Sequence, residues 1–376
     1  MAIMAVFAAG DAGMEGQHRR KRSDPMTFQE AMGEAHKIAF YPMLFQAVRS
    51  MIKFGLLPHI CKKTAGSDRQ ELERVSKLST YAVGLMLDAA LFMGVVREQD
   101  GSFTPTKLGR LLAEDGSVRA TMDFTHDVCY LGAFELDRSF ETGRPEGLKV
   151  FGGWETIYQG LCHLPENVSK SWFGYDNYYS DLSFAQAAAI VLENKPAVVY
   201  DIGGNTAKFD IALLRADADV RSRVVDLPLT LEKSKASLAG AGLADRAEFV
   251  PADVLDPGTK LPKGADAVWM SQFLDCFSPG QIVSILKKAK EALNPGGRVF
   301  ILEPFIDPHD RDGTALALVG VSLYFACIAN GCSRMYRQSD MEEFVREAGL
   351  NVSRLHKGIG MFDHTLMECA EHSRSP

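Results

Sequence analysis

From Ala197 onward, short β-branched runs alternate with amphipathic stretches, and no other feature constrains the chain as strongly. Val198-Val199-Tyr200 leads into a helical stretch to about Leu214, and Arg223-Val224-Val225 into one around Leu231 to Leu243. Ala247 to Val250, Ala267 to Met270 and Arg298 to Leu302 follow as strands, with a helix from Gln281 to Leu293 before the last of them. A helix from Asp340 to Ala348 and a strand Thr365 to Glu368 close the pattern. Strand and helix in units of roughly twenty-five to thirty residues predict a parallel, doubly wound α/β sheet. In such a sheet the ligand lies outside the carboxyl ends of the strands, near the topological switch point.

The preceding residues follow another pattern. Apolar positions from Thr27 to about Leu57 recur at helical spacing, predicting two helices closed by Pro58. Leu72, Val75 and Leu78 mark a further helix, and Ser79-Thr80 is the N-cap pair of the apolar stretch Tyr81 to Val96. Asp100-Gly101 then sits between two β-prone runs, a hairpin signal. Helices followed by such a hairpin make a winged-helix module. The module serves either to bind DNA or as a dimerisation or lid element, and Tyr81 to Phe92 carries almost no Lys or Arg for phosphates or base edges. The predicted layout is a disordered leader over 1–25, a winged-helix dimerisation domain over 26–115, a helical linker and substrate-lid region over 116–185, and a ligand-binding α/β domain over 186–376.

Composition narrows the function. The 376 residues suit two domains, and 46% apolar with 24% charged residues is a globular balance with no apolar run long enough for a membrane span. A net charge of −7 disfavours a phosphate backbone as partner, so a small molecule is expected and no nucleic acid. Seven scattered cysteines without a CxxC pair imply reduced thiols in a cytoplasm and no metal centre. The apolar start followed by His18-Arg19-Arg20-Lys21-Arg22 inverts the order of a secretory signal.

The first strand of the α/β part ends in Asp201-Ile202-Gly203-Gly204-Asn205-Thr206-Ala207. Small residues let the backbone turn tightly, and Asn205 tolerates a left-handed conformation. The loop lacks the G-x-G-x-x-G spacing of a dinucleotide site, and an acid facing it would repel pyrophosphate and favour a cationic ligand. S-adenosylmethionine carries a sulfonium and an ammonium and no phosphate. The second strand ends in Val224-Val225-Asp226-Leu227-Pro228, where a carboxylate accepts two ribose hydroxyls. Asp253, in Ala252-Asp253-Val254, follows the third strand, positioned to accept from an adenine amino group.

Three acids ending three consecutive strands, with Asn294-Pro295-Gly296-Gly297 before a strand that ends at Glu303, resemble the class I S-adenosylmethionine-dependent methyltransferases. Together with the winged-helix module and the segment from Asp266 to Leu286, the chain resembles the small-molecule O-methyltransferases of plants and bacterial secondary metabolism. The resemblance implies a Rossmann-like domain, a homodimer joined by the N-terminal domain, and an aromatic, phenolic acceptor, free or carrier-bound. It matches Asp201, Gly203, Gly204, Asp226, Asp253 and Ser271 to cofactor contacts, with Asn205, Leu227, Val254 and Gln272 beside them. Met270 to Ser278, Asp176-Asn177-Tyr178-Tyr179-Ser180-Asp181 and Ala329-Asn330-Gly331 are similar to a bacterial subgroup associated with aryl polyene and pigment clusters.

Such enzymes align a nucleophile with a sulfonium methyl and, where needed, remove one proton. The family's usual base is a histidine between the fourth strand and the next helix, and the matching position here is Asp275. Asp275 is a base, an orienting group for a phenol, or a cap for the helix near Gln281. Glu303 matches a flanking acid of the family, catalytic or structural. His126, Tyr178, Tyr179, Tyr324 and Asn330 are substrate-site candidates, with core packing the alternative for each. Ring carbon rivals oxygen as acceptor, since a phenol hydrogen-bonded to a weak base is activated at its ortho carbon. Two other classes stay open: a cofactor-sensing winged-helix regulator without catalysis, and a nicotinamide-dependent oxidoreductase.

Overall fold

A single helix, Phe28–Lys53, forms where the sequence predicts a break, and it runs through Pro42. Thr27 and Glu30 cap it reciprocally, with Glu30 Oε2 accepting from the Thr27 N–H at 2.8 Å. The chain turns at Gly55 (φ 79°) into the helix Leu56–Lys62. Pro58 therefore begins a helix and does not close one: it sits in the first turn, where its missing N–H would have no intrahelical acceptor. This computed structural model describes residues 26–307, 312–360 and 363–371, so the leader expected over 1–25 lies outside the described residues. It divides into two compact units between Glu114 and Asp115.

In the first unit Ser79 Oγ caps the helix Thr80–Phe92 by accepting from the Ala82 N–H at 3.3 Å. Strand β1 (Ser67–Asp68) pairs antiparallel with β3 (Ser102–Pro105), which pairs with β2 (Val96–Gln99). Asp100 (φ 51°) and Gly101 (φ 76°) turn the β2–β3 hairpin, both left-handed as a two-residue turn of this hand requires.

In the second unit β4 (Val198–Ile202), β5 (Arg221–Asp226), β6 (Ala247–Pro251), β7 (Ala265–Ser271) and β8 (Leu293–Glu303) are parallel neighbours in the order β6-β5-β4-β7-β8. The sheet reverses between β5 and β7, at β4, so the loop after β4 lies at the switch point. The expectation of a wholly parallel sheet is corrected at one edge, where β10 (His364–Glu371) runs antiparallel between β8 and β9 (Leu350–Ile359). Strand β9 escaped the sequence pattern because Ser353, Arg354, Leu355 and Lys357 face solvent at the sheet edge and dilute its apolar content.

Alternating side chains feed two cores. Tyr200, Ile202 and Val225 pack with Ile282, Leu286 and Ala289 on one face, while Val199, Val224, Trp269 and Phe300 pack with Ala188, Val191 and Leu213 on the other. Phe209 stacks on Trp269 at 4.0 Å between ring centroids. Full burial of such side chains contributes about 1.5–3 kcal/mol each, which fixes the sheet beneath its loop end. Among the described residues no single helix is long and apolar enough to cross a membrane.

Candidate active site

The loop after β4 is held by tight packing and by hydrogen bonds to its own polar groups. Gly203 is left-handed (φ 79°), and a Cβ there would lie 2.3 Å from the Phe273 ring. A Cβ on Gly204 would lie 2.6 Å from Val224, so neither position admits a side chain without displacing its neighbour. Asn205 (φ 48°) donates its N–H to Asp226 Oδ2 at 3.0 Å, accepts from Ser234 Oγ at 2.6 Å, and reaches Asp176 Oδ2 with Nδ2 at 3.4 Å. Asp226 Oδ1 accepts from the Leu227 N–H at 2.7 Å. Each Asp226 oxygen keeps a lone pair for a further donor.

The Asp201 carboxyl is buried beside Asp210 on the face of the sheet that Val199 occupies, with Oδ2 3.1 Å from where a Cβ on Gly204 would lie. Ser222 Oγ donates to Asp210 Oδ1. Burial, and next the Asp210 carboxyl, push Asp201 well above the usual carboxylate range. Asp253 is exposed after β6, accepting from the Leu255 N–H at 2.9 Å, with Val254 buried beside it. At the end of β7, Ser271 Oγ and Gln272 Nε2 are buried without a hydrogen-bond partner. Gln272 is left-handed (φ 46°), a strained conformation held by its N–H bond to the Leu302 carbonyl at 2.9 Å. Open carboxylate lone pairs, two orphaned polar atoms and a close-packed glycine loop at the ends of four neighbouring strands fit a nucleoside-bearing ligand without phosphate.

Beyond β7 the backbone makes a tight turn over Leu274–Cys276. Glu303, the last residue of β8 and 1% exposed, accepts the N–H groups of Phe273 (3.1 Å) and Leu274 (2.9 Å) on Oε1, while its Oε2 has no partner. Asp275 is 5% exposed, and Cys276 Sγ donates to its Oδ1 at 3.4 Å. Burial raises the Asp275 carboxyl to about 7; the Cys276 bond opposes this, the Asp176 charge adds to it, and a hydrogen bond with Glu303 opposes it. The capping role is excluded: Gln281 Oε1 accepts from the Ser278 N–H at 2.9 Å, so Ser278 and Gln281 cap the helix Pro279–Ala292.

Aromatic residues pack against Cys276, the next residue in the turn. Phe124 stacks on Tyr175 at 4.4 Å and meets Tyr324 edge-on at 4.9 Å, and the Tyr324 hydroxyl accepts from Trp172 Nε1 at 2.8 Å. Cys276 packs against the same cluster, and the buried Tyr158 hydroxyl interacts with Cys276, Tyr324 and Asp275. Two helices widen to π-type turns in this cluster, at Thr125–Cys129 and Phe325–Ala329.

Among the substrate candidates whose side chains are described, Tyr324 lies in this cluster. Asn330 is a brace: Nδ2 donates to the Cys276 carbonyl at 2.8 Å and Oδ1 accepts from the N–H groups of Cys332 and Ser333 at 3.0 and 3.1 Å. Its polar atoms are thus spent on the backbone beside Asp275. The Tyr178 ring packs at Gly116, and His126 sits half-buried beside Asp127 and Tyr130. The Tyr179 side chain lies outside what the structure describes. Asp176, Tyr158, Trp172, Tyr175 and Cys276 were absent from the sequence-derived site. Asp176 and Cys276 carried a signal, as members of the Asp176 to Asp181 and Met270 to Ser278 motifs, and burial raises the Asp176 carboxyl to about 6, with Asp181 adding and Lys208 opposing. No group of His, Cys, Asp or Glu among the described residues is arranged to hold a metal.

Residues 33–103 match a Dimerisation2-like domain and residues 185–351 an O-methyltransferase domain. The L-tyrosine C(3)-methyltransferase of Streptomyces lavendulae is 26% identical over 318 residues, covering 84% of this chain and 85% of that protein. The 3-hydroxy-5-methyl-1-naphthoate 3-O-methyltransferase of Streptomyces sahachiroi is 29% identical over 331 residues, covering 82% and 86%. Among solved structures, the S-adenosylmethionine-dependent methyltransferase SibL in its apo form superposes with a TM-score of 0.71 at 25% identity, over 90% of this chain and 98% of that one.

Proposed function

We propose, for this S-adenosylmethionine-dependent methyltransferase with its O-methyltransferase domain, that the methyl acceptor is a phenolic aromatic compound of secondary metabolism and that Asp275 takes the phenol's hydrogen bond. The observation that carries the reading is a buried carboxyl, raised to about 7, whose neighbour Cys276 packs against the ring cluster of Phe124, Tyr175 and Tyr324. S-adenosylmethionine, when bound, supplies a methyl group on a sulfonium. Gly203, Gly204 and Asn205 would form its close-fitting floor over Asp201, Asp226 with Leu227 would take the ribose diol, Asp253 with Val254 the adenine, and Ser271 with Gln272 would use their orphaned polar atoms on it.

An aspartate of ordinary pKa, about 3.9, is a poor acceptor for a phenol proton, and one near 7 is well matched to neutral pH. Glu303 accepts on Oε1 the backbone N–H groups leading into that aspartate, so it positions the acceptor. Partial proton sharing also pushes electron density to the ortho carbon, so methylation falls on the phenol oxygen or on the adjacent ring carbon. The two relatives' names support one outcome each, C(3) of tyrosine and a naphthoate oxygen. The direct test is transfer of a carbon-13 methyl from S-adenosylmethionine to L-tyrosine and a set of hydroxynaphthoates. A methoxyl or an aryl-methyl resonance supports the proposal; label appearing only on nitrogen or carboxylate contradicts it.

The chain works as a homodimer through its first unit. Ile38 (71% exposed), Tyr81 (76%) and Leu85 (53%) present apolar surface on the helices Phe28–Lys53 and Thr80–Phe92, more than a lone module leaves to water. Light scattering at micromolar concentration should give twice the chain mass, and a monomer would refute the assembly. Seven thiols without a disulfide support a cytoplasmic site of action.

A further inference from the structure

We propose that Tyr158 is a specificity-determining residue: its hydroxyl donates to a neutral carbonyl oxygen carried on the ring system of the methyl acceptor. The inference rests on the reading of the phenolic acceptor given above and narrows its class to hydroxyarenes that bear an uncharged carbonyl group. Tyr158 lies on the short helix Ile157–Gly160 and packs against the cluster that contains Phe124, Tyr324 and Phe325, as do Trp172, Tyr175 and Cys276. Its hydroxyl is buried and has no hydrogen-bond partner. Tyr324, another phenol of the cluster, differs in this respect. It accepts from Trp172 Nε1 at 2.8 Å, and an indole N–H can only donate, so the protein itself holds that hydroxyl.

The segment holds that hydroxyl in place. The Trp154 ring seats on Gly152 and Gly160, where an added Cβ would lie 2.7 and 2.3 Å from ring carbons, and Ile157 is wholly buried one residue before Tyr158. Burial keeps the Tyr158 proton well above the usual phenol range, so the hydroxyl stays a donor. An idle lone pair is common in folded proteins and an idle buried hydrogen is rare, so the missing partner is an acceptor. The thiol of Cys276 faces the hydroxyl, but sulfur accepts weakly, and Cys276 gives its own hydrogen to Asp275 Oδ1 at 3.4 Å. Tyr158 and Asp275 thus face the same thiol, and a ring whose phenol meets Asp275 brings a second substituent within reach of Tyr158. The ionisable groups that face Tyr158 are Cys276, Tyr324 and Asp275, with no base among them. A ligand carboxylate would meet Asp275 there without a compensating cation, whereas a ketone, quinone or ester oxygen supplies an acceptor without charge.

Calorimetry on the full chain with S-adenosylhomocysteine present compares each hydroxynaphthoic acid isomer, its methyl ester, and the naphthol that lacks the carboxyl group. At least one ester should bind about tenfold tighter than its naphthol and than its free acid. In Tyr158→Phe its preference over the naphthol should fall to about twofold, the remainder being the apolar area of the ester methyl, while the naphthol binds within about twofold of the parent. Without ligand, Tyr158→Phe should melt no lower than the parent, because the hydroxyl it loses had no partner. Tyr324→Phe calibrates that readout and should melt lower, because Trp172 Nε1 loses its acceptor. An ester preference that survives in Tyr158→Phe, acids that bind tighter than esters, or a Tyr158→Phe that melts below the parent overturns the proposal. So does a parent that binds every ester no better than its naphthol, a result that needs no variant. Failure of the phenol reading itself is a separate result, in which neither naphthols nor esters bind or take a methyl group, and it removes both.

Discussion

Glu303 holds the backbone N–H groups of Phe273 and Leu274, the two residues that precede Asp275, so the acid ending β8 sets the position of the acid that follows β7. The relationship explains why two buried acids persist in contact. One spends an oxygen on the backbone, and the other accepts from Cys276 Sγ beside the aromatic cluster.

Glu303→Ala should therefore destabilise the fold by about 2–5 kcal/mol, because two buried N–H groups lose their acceptor. Glu303→Gln retains an Oε1 acceptor and should cost markedly less. Urea unfolding of both variants checks this, and equal losses would mean that Glu303 acts through its charge and not through those two bonds.

Asp226→Ala should weaken S-adenosylhomocysteine at least tenfold by calorimetry. Hydrogen bonds to a charged acceptor contribute about 1.5–3 kcal/mol each, and the same change frees the Asn205 N–H. Unchanged affinity would remove Asp226 from the cofactor site.

Stability should fall as pH rises from about 4 to about 7. Asp176 and Asp275 keep their protons in the native state to about 6 and about 7, whereas in the unfolded chain both lose them near the ordinary value of 3.8. Across that window the native state binds more protons, so deprotonation costs native stability as pH rises. Between pH 4.5 and 7.5 the melting temperature of the parent should fall relative to that of Asp275→Asn, which has no proton to lose at this position. Parallel curves would show that Asp275 titrates near its ordinary value in the folded protein.

Much of this site was legible in the sequence, and the failures have physical causes. Gly203, Gly204, Asn205 and Asp226 were identified because tight turns and strand-end carboxylates leave local signatures, and the structure brings them together. The pairing of Asp201 with the buried Asp210 was not read, because a strand residue and a helix residue meet there only in the assembled fold. Asn330 looked like a substrate contact, yet its partners are the backbone of Cys276, Cys332 and Ser333, a tertiary arrangement with no local trace. Trp172, Tyr175 and Tyr158 come from helices whose apolar spacing is that of ordinary core, so only the assembled cluster marks them as the wall of a chamber. Strand β9 was lost to its exposed edge, and Pro58 was misplaced because proline both ends and begins helices.

The most direct test of the account is turnover of Asp275→Asn with the phenol that the parent methylates fastest, measured beside its S-adenosylhomocysteine affinity. Asparagine keeps the size and the bond to Cys276 but cannot take a proton. General-base assistance is worth about 10²–10⁴ in rate, so kcat should fall by at least a hundredfold while cofactor affinity stays within about twofold. Turnover near that of the parent would contradict the account and leave Asp275 a structural residue of the turn.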